Sequence, residues 1–189
     1  MLKEIIKETT DAVVAAVQGA DNIMSAVTDT VKHQVVHAFK GAGEVGSAGI
    51  DTVADVASGA VHGVGKVGAS VADSTQQIIS GAIHGVSEVG GDVVEAARKA
   101  AHGVIQATAE TGGDIGKTAV STVEGAIKAA GDVGADSANA AKAAVGGALD
   151  AATDVGGDAV ETVKKALLAS AALPRDVIES AIKGHHSSK

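Results

Sequence analysis

Large apolar residues return every 22 places along most of this chain. The unit runs seven times without a gap from Val17 to Ser170, starting at Val17, Phe39, Val61, Ile83, Ile105, Ile127 and Leu149. Its seventh place holds Ile23, Val45, Val67, Val89, Thr111, Val133 and Val155. The eighth is glycine at Gly46, Gly68, Gly90, Gly112, Gly134 and Gly156, failing only at Met24. The twenty-first is glycine at Gly59, Gly81, Gly103, Gly125 and Gly147. An unbroken register of this kind marks a repeat architecture.

Twenty-two is twice eleven, and eleven residues make three helical turns at about 3.67 residues per turn. On a wheel at about 98° per residue, places 1, 4, 7, 8, 11, 12, 15, 18, 19 and 22 share one arc of roughly 130°. Charge gathers opposite, as at Lys40, Glu44, Asp51 and Asp55. The pattern predicts an all-α, elongated amphipathic repeat, built as long helices or as a helical bundle or coiled assembly. A β-solenoid coil of similar length is the rival, and VGGD at 89–92 and 155–158 suits it. Its apolar spacing should be 2, whereas 3–4 is found here. Gly-Gly followed by Asp92-x-x-Glu95 or Asp158-x-x-Glu161 also resembles a helix stop and a capping box, leaving open whether the chain turns back there.

Three segments follow: an amphipathic lead-in at 1–16, the repeats at 17–170, and a short helix with a loose tail at 171–189. Pro174 suits the first position of that last helix, which should stop before Gly184, with His185 onward in the tail. No uncharged apolar stretch reaches the length of about 18 residues that a membrane-spanning helix needs. The N-terminus lacks a secretory pattern. The expected location is cytoplasmic, peripheral to a membrane or to a lipid or granule surface.

Composition narrows the function. The 189 residues include no cysteine, one aromatic residue (Phe39) and one proline. A formal net charge of −8, spread along the chain, disfavours nucleic acid as a partner. A core of Val, Ala and Gly is thin, so an ordinary compact globule is not expected. Of 25 glycines, only Gly184 lies outside the repeats. Each costs about 1 kcal/mol inside a helix, and together they exceed the stability of a typical domain. A lone straight helix should therefore need an apolar surface or other helices to persist.

Two sets of residues follow from that need. Val17, Ile23, Phe39, Val45, Val61, Val67, Ile83, Val89, Ile105, Ile127, Val133, Leu149 and Val155 should form a continuous stripe for a lipid or other apolar surface. Gly46, Gly68, Gly90, Gly112, Gly134 and Gly156, on the stripe, and Gly59, Gly63, Gly81 and Gly85, behind it, should allow close approach of helices. Small residues on two faces suit packing on both sides.

Catalytic and ligand motifs do not hold together. GAGEVG at 41–46 and GVGKVG at 63–68 fit G-x-G-x-x-G but follow no strand. Gly116-Lys117-Thr118 lacks the glycine a phosphate loop needs, having Thr111 there. On a continuous helix His62 and His84 stand about 33 Å apart, too far to share a metal. His33 and His37 lack a third ligand. Acids at place 6 (Glu44, Glu88, Glu110, Asp132, Asp154) and place 10 (Asp92, Asp114, Asp136, Asp158) read as a solvated rail, with pairing to a neighbouring chain as the alternative. We expect no catalytic residue, metal or cofactor.

GAVHGVGKVGASVADS (59–74) and GAIHGVSEVGGDVVEAARKA (81–100) resemble the repeat region of synucleins. The Val, Thr, Ala and Gly content is similar to perilipin 11-mer regions and to group 3 late-embryogenesis-abundant proteins, and the Ala-rich helical habit is shared with phasins. The likeness spans the repeats and rests on period and composition. It implies a lipid-associated amphipathic helix. Few lysines flank the stripe, Lys32, Lys142 and Lys164 being exceptions, so a neutral surface or a partner helix fits better than anionic lipid. The expected function is non-enzymatic association with an apolar surface. The alternative is a homo-oligomeric helical scaffold that organises or tethers a larger complex, with a desiccation protectant third.

Overall fold

Each repeat unit from Val61 onward contributes one turn and most of one helix. The computed structural model describes residues 2–41 and 47–186, and among these every regular element is helical. The helices are α1 (Leu2–Gln18), α2 (Ile23–Gly41), α3 (Ser47–Lys66), α4 (Val71–Glu88), α5 (Val93–Glu110), α6 (Ile115–Asp132), α7 (Ser137–Val155), α8 (Ala159–Ala169) and α9 (Arg175–His186). The all-α expectation holds, and the chain turns back at the Gly-Gly sites and equally at Gly68 and Gly134, each followed by alanine.

Four of the turns are built alike. Gly68, Gly90, Gly112 and Gly134 take φ of 71–74°, a left-handed conformation that glycine adopts without strain. In each case the amide of the following residue donates back to a carbonyl five places earlier, for instance Gly91 N to Val86 O at 2.9 Å and Ala135 N to Ala130 O at 2.8 Å. This pairing satisfies carbonyls that the helix end leaves orphaned. Two residues after the turn glycine comes the N-cap. The Asp92, Asp114 and Asp136 carboxylates accept backbone amides of α5, α6 and α7, and Ser70 does so for α4. Asp158 makes no such bond.

Short turns make consecutive helices antiparallel, yet each helix packs most heavily on one two places away along the chain, ahead or behind. The odd-numbered helices therefore form one layer and the even-numbered a second. In most units the first and twenty-first places face into this stack. Phe39, Val61, Ile83, Ile105 and Leu149 are buried, joined by Val31, Ile79, Val104 and Val145. The core closes within a single chain, so the other helices that a lone helix was expected to need are supplied by the chain itself. The helix deficit is offset because several glycines end helices and others seat them against neighbours.

At the far end Pro174 stands just before α9 and not at its first position as expected, and its carbonyl accepts amides of the first turn from Val177 and Ile178. The helix runs past Gly184, beyond the expected stop. It occupies the slot beside α7 that a further odd helix would take, with Ile178 buried. Among the described residues no helix is long and apolar enough to cross a membrane.

Candidate functional site

The sequence-expected contact stripe is divided by the fold. Val17, Phe39, Val61, Ile83, Ile105 and Leu149 lie in the core and are not offered to any surface. Ile127, Val67, Val89 and Val133 are half-buried against it, the last three at turns. Ile23 and Val155 are exposed at 42% and 43%. Val45 and Gly46 fall outside the described residues. A continuous greasy side is thus absent from the described surface, because places 1 and 7 of one unit sit on either side of a helix end.

The glycines also separate by role. A methyl placed on Gly68, Gly90, Gly112, Gly134 or Gly156 would meet nothing within 4 Å, so these residues make turns and do not seat helices. The close approaches belong to Gly59, Gly63, Gly81 and Gly85, as expected, together with Gly103, Gly125 and Gly147. A methyl on Gly81 would lie 2.6 Å from the Thr28 carbonyl oxygen, and one on Gly59 2.6 Å from that of Ile6. Such contacts leave no room for any other side chain.

The chemistry-bearing residues lie on the outer faces, where they tie one helix to the next in its layer. In the odd layer Lys99 binds Asp51 at 2.7 Å, Arg98 binds Asp150 at 2.7 Å, His102 meets Asp154 at 3.1 Å and His62 meets Glu110 at 3.4 Å. In the even layer Lys32 binds Glu88 at 2.7 Å, Lys117 binds Asp73 at 3.0 Å and the Gln76 amide donates to Glu124 at 2.7 Å. The rail of acids at place 6 is thereby used within the chain at Glu88, Glu110 and Asp154. At place 10, Asp92, Asp114 and Asp136 cap helices.

A groove of about 520 Å³ crosses α3, α5 and α7, lined by Asp51, Ala54, Glu95, Arg98, Lys99, His102, Gly147 and Asp150. It continues into a second, of about 600 Å³, between α9 and the α5–α7 pair. Asp150 joins the two. It accepts from Arg98 and from His185 at 2.9 Å, so His185 belongs to the fold and not to a loose tail. Partial burial pushes the Asp150 carboxyl up, but these two donors outweigh it and hold the pKa below its ordinary value. Arg98 is raised in turn, chiefly by its hydrogen bond to Asp150.

One carboxylate on α3 is disfavoured by its surroundings. Asp55 is partly buried, its Oδ2 atom has no partner, and burial with Asp51 nearby raises its pKa. The Thr9, Thr118 and Thr122 hydroxyls, His62 Nδ1 and Gln77 Oε1 are likewise enclosed and unpartnered. His33 and His37 are exposed on α2, and His84 stands in the opposite layer from His62 with its Nδ1 on the Ser80 carbonyl at 2.7 Å. No group of three His, Asp or Glu residues is placed to hold a metal ion among the described residues.

Sequence reasoning missed the Arg98, Lys99, His102, Asp150 and His185 network. Apart from the His185–Asp150 pair, 35 positions apart, its signal is a donor and a carboxylate separated by 48 or 52 positions, two units plus about one or two turns of helix. That signal has meaning only once helices are known to pack on the second one along. No protein-family model and no curated protein matches this sequence.

Proposed function

We propose that the protein is a non-enzymatic helical scaffold, a repeat-built stack that organises a larger complex through its outer faces. The observation that supports this reading is the inward closure of the apolar stripe. Val61, Ile83, Ile105 and Leu149 are fully buried, and the exposed faces carry charge pairs that brace neighbouring helices. Stacked repeats of this kind present extended surfaces whose shape follows from the packing of each unit on the next. Self-association is then a means of extending the scaffold, not a requirement for folding.

The test is helicity and size in plain buffer. A scaffold is strongly helical there, stays so on dilution and does not float with vesicles of neutral lipid. Helix that appears only with lipid overturns the proposal.

A second reading, peripheral association with a neutral lipid or other apolar surface, has one observation in its favour. Of 44 buried apolar side chains among the described residues, 20 are alanine. Helices held by such small contacts exchange their neighbours for an apolar surface at modest cost. That reading requires the layers to part. A disulfide between Arg98→Cys and Asp150→Cys, joining α5 to α7, would then abolish flotation while leaving the helix signal intact.

A further inference from the structure

The closely packed glycines do not all sit in the same register. In α3 and α4, Gly59 lies over Ile6, Gly63 over Thr10, Gly81 over Thr28 and Gly85 over Lys32, the same step back along the chain in every case. That step would set Gly103 of α5 over Ile50, Gly125 of α6 over Ala72 and Gly147 of α7 over Val94. They lie instead over Ala54, Gln76 and Arg98. The offset is the same in all three, about one helical turn. The polar pairs agree: those between helices of the shallower group span 44 to 52 positions, whereas Lys32 of α2 reaches 56 positions on, to Glu88, one turn past His84.

The two groups differ in sequence at the third place of the unit. It is glycine in α3 and α4 (Gly63, Gly85) and alanine in α5, α6 and α7 (Ala107, Ala129, Ala151), all three buried. In the deeper register a methyl at Gly63 would lie 3.0 Å from the Thr10 carbonyl oxygen and 2.8 Å from Val13 Cβ. One at Gly85 would lie 3.0 Å from the Lys32 carbonyl oxygen and 2.9 Å from Val35 Cβ. Both lie against backbone or branched carbon that has little freedom to yield. In the shallower register alanine is accommodated at the same place.

We propose that the third residue of each unit selects how far one helical hairpin is rotated on the next: glycine admits the deeper step, alanine enforces the shallower one. The two layers run in opposite directions, so the same backward shift in both is a rotation between hairpins and not a slide. Gly63 and Gly85 thus set a distinct twist between the α1–α2 hairpin and the rest of the stack. One-turn jumps between packed helices are a known form of discrete conformational change. The surface that any partner meets is shaped by this step.

The chain has no cysteine, so introduced pairs report register without interference. With Lys32→Cys and Glu88→Cys, the natural glycines should give a cross-link. In Gly63→Ala with Gly85→Ala, that cross-link should fall at least tenfold, and Lys32→Cys should join His84→Cys instead, one turn or about 5.4 Å away. Persistence of the 32–88 cross-link in the folded double alanine variant overturns the proposal. Should that variant not fold, Ala107→Gly with Ala129→Gly decides, since it removes bulk without adding any. Gln76→Cys should then join Lys128→Cys as well as Glu124→Cys. Joining only to 124 overturns the proposal.

Discussion

Gly147 lies directly against the backbone carbonyl of Arg98, and the α5–α7 interface is organised around that contact. The carbonyl belongs to helix backbone and has no side-chain freedom with which to move aside. Gly147→Ala should therefore force the two helices apart and lower stability by about 1–3 kcal/mol, the usual range for overpacking. Its neighbour Gly146 supplies the control, since a methyl there meets nothing within 4 Å. Gly146→Ala removes the glycine cost in a helix interior and should stabilise by about 0.5–1 kcal/mol. Urea midpoints of the two variants, moving in opposite directions from adjacent residues, check both signs at once.

The turn glycines act by a different mechanism. Gly90 has open space around it but a φ of +74°. An alanine there has room and the wrong backbone conformation, at a cost of about 1–2 kcal/mol. Gly90→Ala should lower the thermal midpoint while leaving helix content in the folded baseline unchanged. A loss no greater than that of an exposed helix substitution would contradict this account.

These two glycines show what was legible in the sequence. Both recur at fixed places, so the repeat, its helical character and the capping role of Asp92 were readable from spacing alone. Wheel geometry placed Gly90 on the apolar stripe as a packing residue because it assumed one continuous helix. Once the chain reverses between successive helices, azimuth is reset and only relations within a single helix survive. Gly59, Gly63, Gly81 and Gly85 kept their role because each lies within a helix. The Arg98–Asp150 pair was illegible for a related reason: its members stand 52 apart in sequence, and only packing on the second helix along brings them together.

Asp150 makes stability depend on pH. Its pKa is lowered on folding, so its contribution is present above the unfolded carboxylate value and is lost as pH falls through the folded value. Asp150→Asn removes the charge that Arg98 and His185 share. It should cost about 1–2 kcal/mol at pH 7, as for hydrogen bonds to a partly buried charge. Below the folded value the wild-type carboxyl is also neutral and the difference should close. Paired denaturation curves at pH 7 and at successively lower pH measure it. A difference that persists at low pH would assign the effect to packing and not to charge.

Asp55 should behave with the opposite sign. Partial burial and the nearby Asp51 raise its pKa, so the folded state holds the proton more tightly than the unfolded chain does. Its contribution is therefore most favourable below the ordinary carboxylate value and declines as pH rises through the folded one. At pH 7 the ionised group is a liability, with Oδ2 enclosed and unpartnered. Asp55→Asn keeps the shape and removes the charge. The expected gain at pH 7 is about 0.5 kcal/mol, modest because part of the carboxylate still reaches water. At pH 3, where the wild-type group is already protonated in the folded state, the gain should shrink. The same substitution at Asp51, which pairs with Lys99 at 2.7 Å, should give no gain at pH 7. Equal stabilisation by both substitutions would point to a general relief of negative charge and away from the burial of Asp55.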